Sequence, residues 1–233
     1  SSDVCSSDLY LNGGQFLYIQ APFKVDPYGD FAVNGMFDFS NQNCDDLLGK
    51  LQAQGIATLD LRQDLQRWAQ AEHISYHDYF FRTDHHWTAL GAYYAYRVYA
   101  YAAGFEPQSF DAFDEVAYDG FLGSFYSYSD QSEALRSNPD TIYAYIPKST
   151  NFIHITNRDY QPFDWFIIND VSDYAQGQKY SCFIVILTPG KPQRLIKAHK
   201  PFPRHCYSGL AAVKIIFSWA FCIFLSNIRS GDN

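Results

Sequence analysis

Histidine and aspartate side chains are concentrated in one short part of the sequence. Residues 73–86 contain four of the seven histidines and two aspartates: His73, His77, Asp78, Asp84, His85 and His86. Imidazole and carboxylate groups are ligands for zinc or iron, and His73 and His77 would share one face of a helix. The residues between them, Ile74, Ser75 and Tyr76, argue against a helix. A metal site is therefore the weakest of three interpretations, and we predict no metal.

Acid–base catalysis is the second interpretation of the same segment. Asp84 and His86 are two residues apart, so in an extended segment their side chains would point the same way. A carboxylate that orients an imidazole, which in turn activates a hydroxyl, is the working part of a Ser-His-Asp triad. The third interpretation is structural, with a histidine capping the following helix and Trp87 packing beneath it.

Alternating strands and helices precede and follow this cluster. We predict strands at residues 15–19 and 56–61, and helices at residues 40–54, 63–70 and 88–103. In the first helix, Asp45 and Asp46 are assigned to the first turn, and Leu47, Leu48 and Leu51 to the buried face. Gly55 and Gly104 are placed to end helices. This order predicts parallel strand pairing in a layered α/β domain.

The pattern is weaker after Gly104. Residues 107–130 are rich in aromatic and small polar residues and favour a long loop. Short strands are predicted at residues 141–146, 152–155 and 165–168, as a small antiparallel insertion. Leu90, Tyr94, Val98 and Tyr101 recur at helical spacing, which predicts the long helix. Tyrosines surround this helix, so we expect most of them to pack or to lie exposed and not to share one sugar-binding cleft: Tyr93, Tyr94, Tyr96 and Tyr99.

Composition limits the function classes. The 233 residues are 47% hydrophobic and 18% aromatic, which excludes disorder for most of the chain. The net charge of −8 argues against nucleic-acid binding, and five cysteines do not make a disulfide scaffold. The charge is uneven: residues 1–180 hold 24 acidic and 10 basic residues, and residues 181–233 hold one acidic and seven basic residues.

Both ends of the chain differ from its middle. Residues 2–9 match a translated sequencing-library adapter, although they could also be a polar arm, and we assign residues 1–9 to this artefact. The natural start, with any signal peptide or membrane anchor, would then lie upstream. Residues 181–233 fit a shifted reading frame. Two alternatives are a membrane helix at residues 209–228, whose only charge is Lys214, and a buried core helix.

A family resemblance adds to this interpretation. Residues 81–96, Phe-Arg-Thr-Asp-His-His-Trp-Thr-Ala-Leu-Gly-Ala-Tyr-Tyr-Ala-Tyr, resemble the signature of the DHHW protein family. Residues 18–25, 38–43, 58–62 and 121–127 also resemble it. The resemblance covers roughly residues 15–180, so residues 10–180 are taken as one truncated domain.

The resemblance implies a fold and a chemistry. DHHW proteins are similar to SGNH-type O-acetyltransferases that modify exported polysaccharides such as alginate. The implied fold is an incomplete SGNH-like α/β/α (flavodoxin-like) three-layer domain with a small antiparallel insertion. The implied activity is acyl transfer or ester hydrolysis at hydroxyls of a cell-surface polysaccharide, in the envelope or outside the cell, without a cofactor. The implied partners are the polysaccharide and an acyl donor.

The implied roles fall on the DHHW residues. Asp84 would orient the imidazole, His86 would be the general base, and His85 would fill a variable position. The family's nucleophilic serine lies in a later Asp-Ser-Tyr-like segment, and no such segment follows Ser181. We therefore expect the chain as written to lack a complete triad. Ser124 is a poor substitute because its segment already matches the family elsewhere.

The predicted substrate-binding residues are Lys24, Trp87, Ser124 and Tyr126. Lys24 follows the first strand, at the edge where open α/β sheets bind ligands, although it could equally be a solvated loop lysine. Trp87 is expected to pack as well. Asp60 and Arg62 are expected to pair structurally. A non-catalytic carbohydrate-binding or structural envelope protein is the alternative function, and a metal-dependent hydrolase using the histidine cluster is the third.

Overall fold

The structure, a computed structural model, describes residues 16–27, 37–149, 151–156 and 162–183. The described residues divide into two units, one that ends at Tyr76 and one that begins at His77. The adapter-like residues and the apolar run 209–228 lie outside the described residues. Among the residues that are described, no helix has the length and apolar character needed to cross a membrane.

The first unit contains the predicted strand–helix–strand–helix order. It consists of β1 (Leu17–Gln20), α1 (Ser40–Ala53), β2 (Ala57–Asp60) and α2 (Leu61–Ala71). The two strands pair in parallel, with Leu17 opposite Ala57 and Gln20 opposite Asp60. Parallel neighbours require a crossover connection, and α1 lies within it.

Two details of α1 differ from the prediction. Because the helix begins at Ser40, Asp45 and Asp46 lie beyond its first turn. The buried residues are Cys44 and Leu48, four apart, whereas Leu47 is 41% exposed. Leu48 is thus buried as predicted, and Cys44, for which no role was predicted, shares the buried face with it. Gly55 follows the helix at φ +75°, which confirms its predicted role in ending the helix.

Arg62 is buried and is the centre of an ionic network at the start of α2. Its guanidinium donates to Asp60 Oδ2 at 2.7 Å and to Asp45 Oδ1 at 2.5 Å, and also to the Asn41 carbonyl at 3.0 Å. The Asp60 side chain caps α2 by accepting from the Arg62 backbone N–H. The predicted structural pairing of Asp60 with Arg62 is therefore present.

The second unit contains one long helix and two antiparallel strand pairs. The elements in chain order are a 3₁₀ helix (Tyr76–Tyr79), α3 (Ala89–Ala102), β3 (Phe113–Phe121), α4 (Ser124–Tyr128), α5 (Glu133–Arg136), β4 (Asp140–Pro147), β5 (Phe152–Thr156), β6 (Pro162–Phe166) and a 3₁₀ helix (Gln176–Phe183). Strand β3 pairs with β4, and β5 pairs with β6.

The predicted loop at residues 107–130 was wrong, because it contains β3 and α4. Phe113, Tyr118 and Phe121 point into the core, and polar residues between them face outward. The sequence did not indicate this strand, because its exposed positions carry acidic side chains, which favour a loop. The antiparallel insertion itself is confirmed, although its last strand is Pro162–Phe166 rather than residues 165–168.

Helix α3 is buried on almost every side. Tyr93, Tyr94, Tyr96 and Tyr99 are all buried, whereas Tyr101 is 48% exposed. The buried tyrosines pack against other aromatic rings: the Tyr93 ring lies 3.8 Å from that of Phe110, and Phe110 also packs against Tyr145 of β4.

Candidate active site

A short backbone pairing closes the loop that carries the histidine and aspartate cluster. Phe80 and Trp87 form an antiparallel bridge, and the Phe81 N–H donates to the His86 carbonyl at 3.2 Å. Thr88 then caps α3 with its side chain, which accepts from the Gly91 N–H. The bridge thus joins the two ends of the loop, and the cap fixes the junction between the loop and α3.

Asp140, the first residue of β4, holds the loop by accepting hydrogen bonds from two of its residues. Its Oδ1 accepts from the Arg82 N–H at 3.0 Å, and its Oδ2 accepts from the Thr83 N–H at 2.7 Å. The Thr83 hydroxyl donates to the same Oδ2 at 2.6 Å and accepts from the Gly123 N–H at 3.0 Å. Thr83 is fully buried. Every one of these contacts joins segments about forty or more residues apart in sequence.

Asp84 and His86 form the central contact of the site. Asp84 Oδ1 accepts from the His86 backbone N–H at 2.9 Å and lies 2.5 Å from His86 Nδ1. The segment is a turn closed by the aspartate side chain, and not the extended segment assumed from the sequence. Because the carboxylate accepts a hydrogen bond from Nδ1–H, a neutral His86 carries its lone pair at Nε2.

The second oxygen of Asp84 is also held. Oδ2 accepts from the Ser124 backbone N–H at 2.6 Å, and Asp84 is only 5% exposed. Burial of the carboxyl group opposes its ionisation, but the hydrogen bonds from the His86 ring and from the Ser124 and His86 N–H groups prevail. They hold the pKa of Asp84 well below the ordinary value for aspartate. The carboxylate is therefore charged at neutral pH.

Two rings enclose the His86 imidazole. The His85 ring lies 3.9 Å away at an angle of 36°, and the Tyr180 ring stacks at 4.5 Å and 19°. Tyr180 is itself packed against Phe81, Phe121 and other aromatic rings. The imidazole is thus restrained both by its hydrogen bond to Asp84 and by stacking.

A serine hydroxyl contacts the other histidine. Ser124 Oγ, on the first residue of α4, lies 2.6 Å from His85 Nδ1. The same nitrogen is 3.6 Å from Asp84 Oδ1. His85 is exposed, with 56% of its side chain accessible, so this pair faces solvent.

The sequence model of the DHHW protein family matches residues 63–188, more than half of the chain. The chain belongs to the DHHW protein family. Its four name-giving residues are Asp84, His85, His86 and Trp87. The match runs past the predicted boundary at residue 180, and Cys182 and Phe183 are buried in the structure. The position of that boundary stays a prediction.

Solved structures share the fold of this DHHW chain. A DHHW family protein from Eubacterium siraeum has a TM-score of 0.59 at 21% identity, with 73% of this chain and 55% of that protein aligned. PatB1 of Bacillus cereus has a TM-score of 0.55 at 17% identity, covering 77% of this chain and 61% of PatB1.

PatB1 with a sulfonyl adduct has a TM-score of 0.57 at 16% identity, over 78% of this chain and 60% of that one. No curated protein sequence matches significantly. The chain spans little more than half the length of these relatives. The similarities confirm the predicted α/β fold class.

The structure brings some of the predicted substrate-binding residues to the DHHW segment. Ser124 contacts Asp84 and His85 directly, and Tyr126 is half-buried in the same short helix. Trp87 is only 5% exposed, so its side chain packs in the core and offers little surface to a substrate. Lys24 belongs to the first unit, in the bend after β1, where its predicted role stays a prediction.

The histidine cluster separates into two parts. Helix α2 ends at Ala71, His73 adopts φ +56°, and His77 lies in a 3₁₀ helix, so these two share no α-helical face. Among the described residues, the donor atoms that converge belong to Asp84, His85 and His86, within 4.8 Å of one another. A cation there would have to replace the proton between Asp84 and His86.

Three residues of the site had no assigned role in the sequence. Gly123 packs so closely on Asp84 that an added Cβ would lie 2.7 Å from its Cγ and closer still to its Cβ and Oδ2. Tyr180 stacks on His86, and Asp140 anchors Thr83. Gly123 and Asp140 each adjoin a turn or strand end, and this was the available signal for them.

Proposed function

We propose that this chain is part of an acyltransferase or esterase that acts on hydroxyls of a cell-surface polysaccharide. One observation carries the proposal: the hydrogen bond of 2.5 Å between Asp84 Oδ1 and His86 Nδ1. It fixes the tautomer that leaves His86 Nε2 able to accept a proton. In this proposal Asp84 orients the ring and stabilises the imidazolium, and His86 is the general base.

The chemistry follows from these positions. His86 removes the proton of a serine hydroxyl as that oxygen attacks the acyl carbonyl, and then returns the proton to the leaving alcohol. The acyl group moves from the serine to a sugar hydroxyl or to water. Stacking by His85 and Tyr180 supports the proposal, because it restrains the ring in one orientation.

The serine of this reaction is expected in the part of the gene that follows residue 181. We propose that residues 10–180 belong to the DHHW domain and that residues 181–233 arise from a shifted frame. Fold similarity to PatB1, which has been studied with a sulfonyl adduct, agrees with a reactive nucleophile in proteins of this fold. We also propose that the protein acts in the cell envelope or outside the cell.

The test compares the chain as written with the product of the frame-restored gene. Acetyl release from an O-acetylated polysaccharide should appear only in the restored protein, and His86→Gln should lower it by at least about 100-fold. His77→Gln replaces an exposed histidine outside the Asp84 contact and should leave the rate unchanged. Full activity in the restored protein carrying His86→Gln would contradict the assigned base.

A non-catalytic carbohydrate-binding protein is the second candidate. Its support is the aromatic surface of α4, where Tyr128 is 85% exposed and Phe125 37% exposed. Aromatic rings of this kind stack on sugars, because both surfaces are partly apolar. Glycan-array binding that survives His86→Gln, without any turnover by the restored protein, would favour this candidate.

A further inference from the structure

Ser124 and His85 form a hydroxyl–imidazole pair that the proposed function does not use. Ser124 Oγ lies 2.6 Å from His85 Nδ1, which is within the range of a short hydrogen bond. The Asp84 carboxylate lies 3.6 Å from the same nitrogen. A serine within hydrogen-bonding distance of a base, with a third group beside that base, is the arrangement of an activated nucleophile.

We propose that Ser124 is a second nucleophile, activated by His85, which takes up acyl groups from activated esters. The tautomer of His85 with its proton on Nε2 leaves Nδ1 free to accept the Ser124 proton. As this proton moves to Nδ1, a bond forms between Oγ and the acyl carbon, and the bond from that carbon to the ester oxygen breaks. The leaving alkoxide or phenolate then takes the proton from His85, and the acyl group stays on Ser124.

The backbone of Ser124 is placed for this reaction. Its N–H is held by Asp84 Oδ2 at 2.6 Å, and the next N–H, of Phe125, donates to the Thr83 carbonyl at 3.0 Å. Both bonds fix the backbone at the start of α4, from which the Ser124 side chain reaches His85. Asp84 also stabilises the His85 imidazolium that forms, through an ion pair at 3.6 Å.

The two histidines therefore have separate tasks. The Nδ1 of His86 is already bonded to Asp84, whereas the Nδ1 of His85 faces the serine. This separation makes the inference independent of the proposed function: acylation at Ser124 requires His85 and no residue beyond 183. It can hold in the chain as written, in which the triad serine is expected to be missing.

The experiment uses p-nitrophenyl acetate with the full chain as it stands. Release of about one equivalent of p-nitrophenol is expected, and peptide mass spectrometry should place the acetyl group on Ser124. Ser124→Ala and His85→Gln should each slow the release by about 100-fold. Ser127→Ala, which removes another hydroxyl from the same helix, is the matched control and should react as the wild type does.

Ser124→Ala keeps the backbone N–H that donates a hydrogen bond to Asp84, so the fold should survive. Ser124→Cys is a second variant, which restores a nucleophile at this position. Acetylation of Ser124→Cys at residue 124 is expected. Acetyl groups found only on other residues would overturn the proposal. So would undiminished labelling of Ser124 in His85→Gln.

Discussion

Gly123→Ala should displace the Asp84 carboxylate, which makes it the sharpest test of how the site is held. The new Cβ would lie 2.7 Å from Asp84 Cγ, whereas carbon atoms approach comfortably only to about 3.5–4.0 Å. Asp84 must therefore retreat by about 1 Å. The hydrogen bond of 2.6 Å from the Ser124 N–H would then exceed the usual range.

The size of the effect follows from the steric overpacking and from the weakened hydrogen bond to Asp84. Overpacking in a rigid site costs about 1–3 kcal/mol, and a hydrogen bond to a charged group contributes about 1.5–3 kcal/mol. We expect the free energy of unfolding to fall by about 3–5 kcal/mol, which is a large part of the stability of an ordinary domain. The His86 ring should also lose its fixed tautomer, because its partner has moved.

Urea denaturation and side-chain ¹⁵N NMR of the histidines measure the two effects. Gly49→Ala is the matched control, since Gly49 lies inside α1 with open space around it. That change should leave the NMR signals unaltered and raise helix stability by up to about 1 kcal/mol. If Gly123→Ala unfolds within about 0.5 kcal/mol of the wild type and His86 keeps its tautomer, the steric reasoning is refuted.

Three further predictions concern the partners of the same residues. The lowered pKa of Asp84 means that its contribution to stability is complete above about pH 4, the unfolded value, and is lost as the pH falls towards the folded value. In urea titrations the stability difference between the wild type and Asp84→Asn should thus be greatest near pH 7 and shrink towards pH 2; a constant difference would contradict this. Tyr180→Ala should weaken ring stacking by about 1 kcal/mol and broaden the His86 NMR signals, whereas Tyr180→Phe should change neither. Asp140→Asn replaces an acceptor of three hydrogen bonds and should cost about 2–4 kcal/mol by urea denaturation, while Asp119→Asn at an exposed strand position should cost little. Equal losses of stability in Asp140→Asn and Asp119→Asn would contradict the role assigned to Asp140.

The sequence could predict the contact between Asp84 and His86 because it is local. The contact needs only the backbone conformation of residues 84–86, although this conformation is a turn and not the extended segment that was predicted. The parallel pair β1 and β2 was predictable for a related reason, since hydrophobic runs and helix ends mark each element separately. Gly55, at φ +75°, shows how one residue can mark such an end.

The rest of the site depends on contacts that no local pattern contains. Gly123 and Ser124 reach Asp84 across about forty residues, and Tyr180 reaches His86 across more than ninety. Strand β3 escaped prediction because its exposed positions carry acidic residues, which suggested a loop. The buried face of α1 was predicted wrongly at Leu47 for a different reason. The prediction followed the leucine pattern, whereas Cys44 is buried because a cysteine packs as a small hydrophobic side chain.

The anchoring of Thr83 by Asp140 has a consequence for the order of folding. Residues 80–88 can close their turn soon after synthesis, but the carboxylate that receives the Arg82 and Thr83 N–H groups is made more than fifty residues later. Contacts of such sequence separation form slowly, because a long loop must close first. The loop is therefore held at Arg82 and Thr83 only after β4 has been made, and a chain that ended before Asp140 would lack the acceptor of these N–H groups.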